Sequence, residues 1–415
     1  MSSVFHIVSA KSPKVHATFQ ATVLRLSNIL YPAASDDLKN MLQRAAAQRH
    51  SVELFGGNSK RLMAGAVAPA DTRISTAAMK RILKYEPRDL TISVEAGLPY
   101  LELSRALARN GQMIPLAGPY SPEATIGGLV ASNISESRRR GYGTARDLVI
   151  GMEFATLEGK LVRSGGMVVK NVAGLDMGKL MIGSFGTLAA IATLNFKLLP
   201  IPTVSRTLLF PFEDLKAAAT LYEAVMKAGL NPLTADLVNP ILSAQFNLKG
   251  FILALQFGGN QAVIERSVRE STALSPNPET VRGLSHDEEQ RFWTGIAAIT
   301  PRHLEKFRDG VVARVSTPIS ESFSALATVE GAGHTMAASG VVRAWFSRPD
   351  AASRWLQTCV KHGWKGVIEF AGENVNRANL TLWPAPGDDF EIMKGVKKMF
   401  DPEGLLNRGR LFNLI

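Results

Sequence analysis

The sequence predicts an α+β protein built in two parts, and three observations carry that prediction. Between Pro115 and Pro200 glycine occurs thirteen times among short apolar runs, with no long helical face. Pro200 and Pro202 then close the stretch. Beyond them the chain changes to longer alternations of helix-like and strand-like segments, the pattern of an antiparallel sheet covered by helices. Glycines this dense in an apolar, ordered-looking segment imply backbone brought close to something bulky. A flexible linker would be more polar. A bound cofactor with a long phosphate-bearing tail is the natural candidate.

The elements follow in order. Residues 1–34 carry no strong periodicity and form a leading segment. Ser35, Asp36 and Asp37 offer N-cap chemistry and an acidic first turn. Leu38, Met41, Leu42, Ala45 and Ala46 then recur at helical spacing and predict a helix over about 36–49. Residues 51–55 alternate as a strand and run into Gly56, Gly57, Asn58, Ser59 and Lys60. There a strand ends, two glycines let the chain turn, and the next N–H groups can converge on an anion. Such a pair also occurs in ordinary loops, and it fits neither G-x-G-x-x-G nor G-x-x-x-x-G-K-[ST]. Residues 72–75 read as a strand, 77–84 as a short helix or turn, 90–95 as a strand, and 100–110 as a helix opened by Pro99 and stopped by Gly111. Thr125, Gly127 and Gly128 lead into a small-residue helix start over 129–133, whose free N–H groups suit a phosphate. Arg138, Arg139 and Arg140 are either a solvated loop or charges for a diphosphate or a docked partner. Residues 147–166 read as a hairpin and 186–199 as a strand.

In the second part the pattern predicts helices over 212–228, 260–274, 321–329 and 350–362. It predicts strands over 251–257, 311–315, 340–346, 367–370 and 380–383. Residues 388–400 read as a helix followed by a glycine-punctuated turn.

Composition narrows the function. At 415 residues, 46% hydrophobic and 20% charged, the chain buries a large core. Its single cysteine, Cys359, excludes an internal disulfide and any iron–sulfur or cysteine-rich zinc site ligated by this chain alone; it reads as a small core residue. The first twenty residues lack the apolar core of a signal peptide. No apolar run reaches the roughly 18 residues of a membrane span. The expectation is a cytoplasmic protein, held at a membrane only through partners. The net charge of +11 is spread along the chain, without the interleaved aromatics of a base-stacking surface, which argues against nucleic acid and for anionic ligands or partners.

Several ordered motifs carry a family resemblance: LFGGNSKRLMAG (54–65), ISVEAG (92–97), PEATIGGLVASN (122–133), RGYGTARDLVIGME (140–153), GGMVVKNVAGLDMGKLMIGSFGTL (165–188) and FDPEGLLNRGR (400–410). With them the chain resembles the FAD-binding oxidoreductases of the p-cresol methylhydroxylase and vanillyl-alcohol oxidase type. Within that family it looks most like FAD-binding subunits of bacterial glycolate oxidases. The resemblance implies an FAD-binding domain of two α/β subdomains over 35–205, an α+β cap with a mainly antiparallel sheet over 206–395, and a tail, 396–415, returning to the FAD domain. It implies that Gly56, Gly57, Asn58, Ser59 and Lys60 cradle the diphosphate of FAD. Thr125, Gly127, Gly128, Ser132 and Asn133 would line the other side. Gly141, Tyr142 and Gly143 would pass near the ribityl chain or ring, and Ile191 near an edge of the cofactor. It further implies a catalytic flavoprotein subunit and an iron–sulfur subunit as partners, and a small 2-hydroxy acid as substrate.

The departures matter as much. Asn58 stands where a His linked covalently to FAD often sits, and Cys359 is remote, so the expectation is non-covalent FAD. The His-rich H-x-G-D-G-N-type segment of relatives that oxidise 2-hydroxy acids is missing; FAGENVNRANLTLW (370–383) has acid and amides but no His. Phe185 replaces the Glu of G-S-E-G-T-L in the paired catalytic subunit, and Arg408 replaces a usual Pro. Oxidising an alcohol by hydride transfer needs a base and cations for the carboxylate. No base is visible: His286, His303, His334 and His362 are isolated. Arg314 and Arg343 fit either a carboxylate or surface pairing with Glu. Two readings follow: an FAD-carrying subunit of a glycolate oxidase, or a self-sufficient FAD dehydrogenase of another 2-hydroxy acid or alcohol.

Overall fold

A computed structural model describes residues 29–134, 137–167 and 176–415. The chain begins there with a short parallel sheet in which the Thr72–Ser75 strand lies between Ile29–Leu30 and Val52–Phe55. The helix Ser35–Ala47 covers it, burying Leu38, Leu42 and Ala45 in one cluster with Val52 and Ile74. Its N-cap is Ala34 rather than Ser35, which is already helical, and the Asp37 carboxylate accepts from the Ala33 N–H at 3.1 Å.

The next layer is a five-stranded antiparallel sheet. Its order is Ile82–Glu86, Thr91–Glu95, Ala190–Lys197, Val149–Ala155, Leu161–Gly165. The segment 77–84 is therefore corrected: a 3₁₀ turn, Thr76–Ala78, precedes an edge strand. Ile82 and Leu83 on that strand are exposed, so no buried face marked it in the sequence.

The second part is an eight-stranded antiparallel sheet. Val204–Phe212, Phe251–Gly259, Thr234–Val238, Ala332–Met336, Val341–Phe346, Val311–Ser316 and Lys365–Ala371 follow one another after an edge strand, Arg282–Gly283. Helices Leu215–Lys227, Gln261–Ala273, Ser322–Ala327 and Pro349–Lys361 share a core with one face. The other face contributes Val238, Ile252, Val312, Trp345 and Phe370 to a core that continues through Leu129, Phe154 and Phe196 of the first part. Helices His286–Ala297 and Ile299–Lys306 add Phe292, Ile296, Ile299 and Leu304 to it. The sheet is buried on both sides, so its strands lose the in–out alternation that marks a half-buried strand. Thr234–Val238 and Ala332–Met336 are buried at every position, and neither was legible from periodicity. The segment 380–383 is also corrected. It is an irregular loop with one ladder-like bond, Ile368 N–H to the Leu382 carbonyl, and Trp383 stacks on Phe412.

The tail after helix Asp389–Phe400 returns to the beginning of the chain. Asp401 accepts from the Leu405 and Leu406 N–H groups and from Lys397 Nζ, which folds the turn. Val52 donates to the Leu405 carbonyl and Asn407 donates to the Val52 carbonyl, so the tail runs beside the strand that leads into Gly56.

Cys359 is fully buried beneath this architecture, on Pro349–Lys361, and burial pushes its thiol up to about 12. The thiolate is the reactive form. Native protein at pH 8 should resist iodoacetamide and take one label only after denaturation; mass spectrometry of the two samples checks this.

Candidate functional site

The Val52–Phe55 strand delivers the chain into a cleft of about 360 Å³. Its floor is the turn at Gly56 and Gly57, followed by Asn58 at φ +54°, a left-handed conformation that Asn tolerates. A Cβ on Gly56 would lie 2.1 Å from Thr125 Oγ1, and one on Gly57 would lie 2.8 Å from the Glu123 carbonyl oxygen. The two glycine-bearing segments thus abut along one wall of the cleft. Thr125 caps the helix Ile126–Ser132 by accepting from the Gly128 N–H at 3.3 Å. Gly127 packs on Ala96 at the end of the Thr91–Glu95 strand, donating its N–H to the Ala96 carbonyl at 2.8 Å.

Of the residues singled out in the sequence, Gly56, Gly57, Asn58, Ser59, Lys60, Thr125, Gly127, Gly128, Ser132 and Ile191 all line this cleft. Asn133, Gly141, Tyr142 and Gly143 lie outside its lining. Asn133 is the exposed C-cap of Ile126–Ser132. The segment around Gly141 is drawn to the second part: a Cβ there would meet Leu233 at 3.2 Å, and Ser137 Oγ donates to the Asp236 carboxylate. Arg138 and Arg140 are exposed and Arg139 is half-buried. Residues 168–175 of the glycine-rich motif lie outside the described residues.

Sequence reasoning assigned no site residue on the opposite wall, although it had the tail returning to the FAD domain and singled out segment 370–383. Glu373, Val375 and Arg377 reach the cleft from the loop after Lys365–Ala371, and Asn407 and Arg410 reach it from the tail. The tail motif was visible as NRGR; nothing in the sequence marked Arg377. Phe185, at φ +53°, also lines the cleft, with the Arg410 guanidinium 5.5 Å from its ring centre.

Among the described residues four cations line the cleft, Lys60, Arg61, Arg377 and Arg410, against two carboxylates, Glu53 and Glu373. The excess of two positive charges suits a diphosphate. Three of the cations are bonded within the protein. Arg61 is held by both oxygens of Glu373. Arg377 donates to the Ala64 carbonyl at 3.2 Å. Arg410 donates to the Gly65 and Lys60 carbonyls at 3.0 and 2.9 Å, and burial beside Arg377 pushes it down to about 10. Lys60 differs. It is only 8% exposed, its Nζ has no hydrogen-bond partner among the described residues, and burial pushes it down to about 8 against the pull of Glu123. An unpartnered buried ammonium is costly, so this one fits an anionic ligand.

A second polar cluster lies on the face of the large sheet turned toward the first part. His334 stands opposite Arg343, and Arg343 opposite Arg314. Arg343 Nε donates to Glu369 at 2.7 Å, and Arg314 Nε lies 3.4 Å from the same carboxylate. Both arginines therefore pair with Glu369; Arg343 and Glu369 are buried, and Arg314 is half-buried. His334 Nε2 bonds Asp236 at 2.7 Å, His303 bonds the Phe346 carbonyl, and His362 stacks on Trp364. Among the described residues, no three His, Cys, Asp or Glu side chains converge as metal ligands, and no helix is long and apolar enough to cross a membrane.

Comparison with known proteins meets this geometry directly. Residues 27–165 match the FAD binding domain family, and residues 375–411 match the C-terminal domain of FAD linked oxidases. The first stretch holds the Gly56–Lys60 turn and Thr125–Ser132, and the second holds Val375, Arg377, Asn407 and Arg410, while Phe185, Ile191 and Glu373 lie in neither. p-Cresol methylhydroxylase with substrate bound superposes at a TM-score of 0.72, with 13% identity over 93% of this chain and 88% of that one. Alkyldihydroxyacetonephosphate synthase follows at 0.68, with 16% identity over 91% and 75%. The fold is the p-cresol methylhydroxylase type of FAD-binding fold. Among sequence relatives, glycolate oxidase subunit GlcE of Escherichia coli (strain K12) is 35% identical over 42% of this chain and 49% of its own length. Glycolate oxidase subunit GlcD of Bacillus subtilis (strain 168) is 24% identical over 92% and 88%. A mitochondrial D-lactate dehydrogenase [cytochrome] of Arabidopsis thaliana is 28% identical over 53% and 38%. The chain thus matches about half the length of the first relative, most of the second and about two-fifths of the third.

Proposed function

We propose that this chain is the FAD-binding subunit of a multi-subunit glycolate oxidase, holding FAD without a covalent bond. The observation that carries the reading is the cleft itself. It has two abutting glycine turns, an excess of two cations in its lining, and a buried Lys60 whose ammonium is left to a ligand. When bound, FAD supplies a two-electron acceptor at this site. The chain's own residues bind and orient it. Gly56 and Gly57 let the Gly56–Lys60 turn abut the Thr125–Gly128 segment, since a side chain at either would collide with the facing loop, and the two segments together face the cleft in which the diphosphate would lie. Ser132 and Ile191 extend the lining. Arg410 fixes the carbonyls of Lys60 and Gly65, so the loop keeps its curvature. In this reading Gly141, Tyr142 and Gly143 pass near the ribityl chain or ring, and Asn133, exposed and outside the lining, drops out of the diphosphate cradle.

The subunit role draws support from the relatives named as glycolate oxidase subunits and from the pairing inside the second part. Arg314 and Arg343 are engaged with Glu369, and His334 with Asp236. A carboxylate substrate there would have to displace Glu369. Electrons would then leave through partners, a catalytic flavoprotein subunit and an iron–sulfur subunit, and exposed Arg138 and Arg140 offer cations to an acidic one. Such an encounter weakens with salt.

The test is purification of the chain alone and of its native complex, with flavin and iron counted per chain. The expected result is one FAD per chain, released to the supernatant by acid, no iron in the isolated chain, and glycolate-dependent dye reduction only in the complex. A positioned base contributes about 10²–10⁴-fold in rate, so the contrast should be plain. Rapid glycolate turnover by the isolated chain would replace this reading with the self-sufficient dehydrogenase. Flavin retained in the acid pellet would overturn non-covalent binding.

A further inference from the structure

Lys60 carries an inference that rests on the FAD reading and goes beyond it. Its side chain is buried at the point where the turn from Val52–Phe55 meets the Glu123–Thr125 loop. The charged groups around it are already engaged or fixed. Arg61, next in the chain, is tied to Glu373. Arg410, from the tail, donates to the Lys60 carbonyl and not to its ammonium. Arg377 donates to main-chain carbonyls, and Glu123 favours the charged form of Lys60 from the facing loop. Tyr120 is held neutral by burial, up at about 12. Near pH 8, then, Lys60 is the group among the described residues of this neighbourhood whose charge changes.

We propose that Lys60 is the counter-ion of the cofactor's diphosphate and that, through it, FAD binding takes up a proton at alkaline pH. The ligand-free ammonium loses its proton near pH 8, because burial disfavours the charged form. A diphosphate in contact with it favours that form and raises its value. Below pH 8 the ammonium is already present and binding exchanges no proton. Above pH 8 the neutral amine must be protonated as the diphosphate arrives, so affinity falls as pH rises, by up to about tenfold per pH unit. Well above pH 8 the balance approaches one proton from solvent gained by Lys60 Nζ for each FAD bound.

Isothermal titration of the full-length apo chain tests this between pH 7 and 9.5. HEPES and Tris, which differ in ionisation enthalpy, report the proton count. FAD, ADP and riboflavin are the ligands, since ADP has the diphosphate without the flavin and riboflavin the flavin without phosphate. For wild type, Kd for both FAD and ADP should rise about fivefold from pH 8 to pH 9, with about half a proton taken up at pH 8. Riboflavin affinity should not change with pH. Lys60→Met should bind FAD and ADP at least about tenfold more weakly at pH 7, with a flat pH profile. Lys60→Arg keeps a permanent cation and should also be flat, and its melting temperature and circular dichroism check that the fold persists. If wild type binds no FAD, the FAD reading itself fails. If FAD binds well but affinity ignores both pH and Lys60→Met, the FAD reading stands and this inference is lost. If FAD binding depends on pH while ADP binding does not, Lys60 faces the flavin and the diphosphate assignment is overturned.

Discussion

Replacing Asn407 with alanine will destabilise the protein by roughly 3 kcal/mol or more and empty the cleft of flavin. Asn407 is 3% exposed and ties three segments together. Its Oδ1 accepts from the Leu54 N–H at 2.7 Å. Its Nδ2 donates to the Leu54 carbonyl at 3.0 Å and to the Phe185 carbonyl at 2.7 Å. Truncation leaves these groups facing a void in a dry site, and each buried polar group left unpaired costs about 1–3 kcal/mol. Asn407 also sits at φ +42°, which Asn tolerates better than alanine. Against a typical stability of about 5–15 kcal/mol the loss is large. Because Leu54 leads into Gly56 and Phe185 lines the cleft, binding should fail together with stability. Urea unfolding and flavin content per chain measure the two effects. Asn407→Asp keeps the acceptor for Leu54 and loses both donated bonds, so it should also lose stability. An alanine variant as stable and as yellow as wild type would show that the tail does not hold the loop.

Neighbouring glycines should separate folding from binding. Gly127→Val is expected to disrupt the first part, and Gly128→Val to spare the fold and lose flavin. A Cβ on Gly127 would lie 2.7 Å from Ala96 Cβ and 2.8 Å from the Ala96 carbonyl, inside the contact between Ile126–Ser132 and the Thr91–Glu95 strand end. Backbone cannot give way cheaply, and overpacking of this kind costs about 1–3 kcal/mol or more. A Cβ on Gly128 meets only Thr125 Oγ1, at 3.2 Å, and Gly128 otherwise lines the cleft. Valine there fills space the ligand needs. Melting temperature and flavin occupancy, read on both variants, decide the matter. Equal loss of stability in the two would mean that Gly128 too is a packing residue, and full flavin in Gly128→Val would move the cofactor elsewhere.

The glycine turn that lines the cleft was legible in the sequence because its demands are local. A strand that stops at Phe55, two glycines and a polar run with Lys60 define a turn wherever they occur, and Thr125–Gly128 does the same for a helix start. The antiparallel second part was legible as a class, since helices such as Gln261–Ala273 and Pro349–Lys361 keep one polar face. Thr234–Val238 and Ala332–Met336 were not, because burial on both sheet faces erases the period that identifies a strand. Nor does the sequence say that Arg314 and Arg343 share Glu369, because that pairing depends on strand order. For the same cause the sequence did not say which residues form the far wall of the cleft, although the resemblance implied a tail returning to the FAD domain. Arg377 and Glu373 arrive on the loop after the last strand of the large sheet, and Asn407 arrives through a turn folded around Asp401. Sequence alone determined which residues can turn tightly around an anion. Tertiary structure decided which cations stand opposite them, because those contacts join segments more than three hundred residues apart, as Asn407 joins Leu54. It also decided that Lys60, alone among the four cations in the described lining, has its charge left without a protein partner.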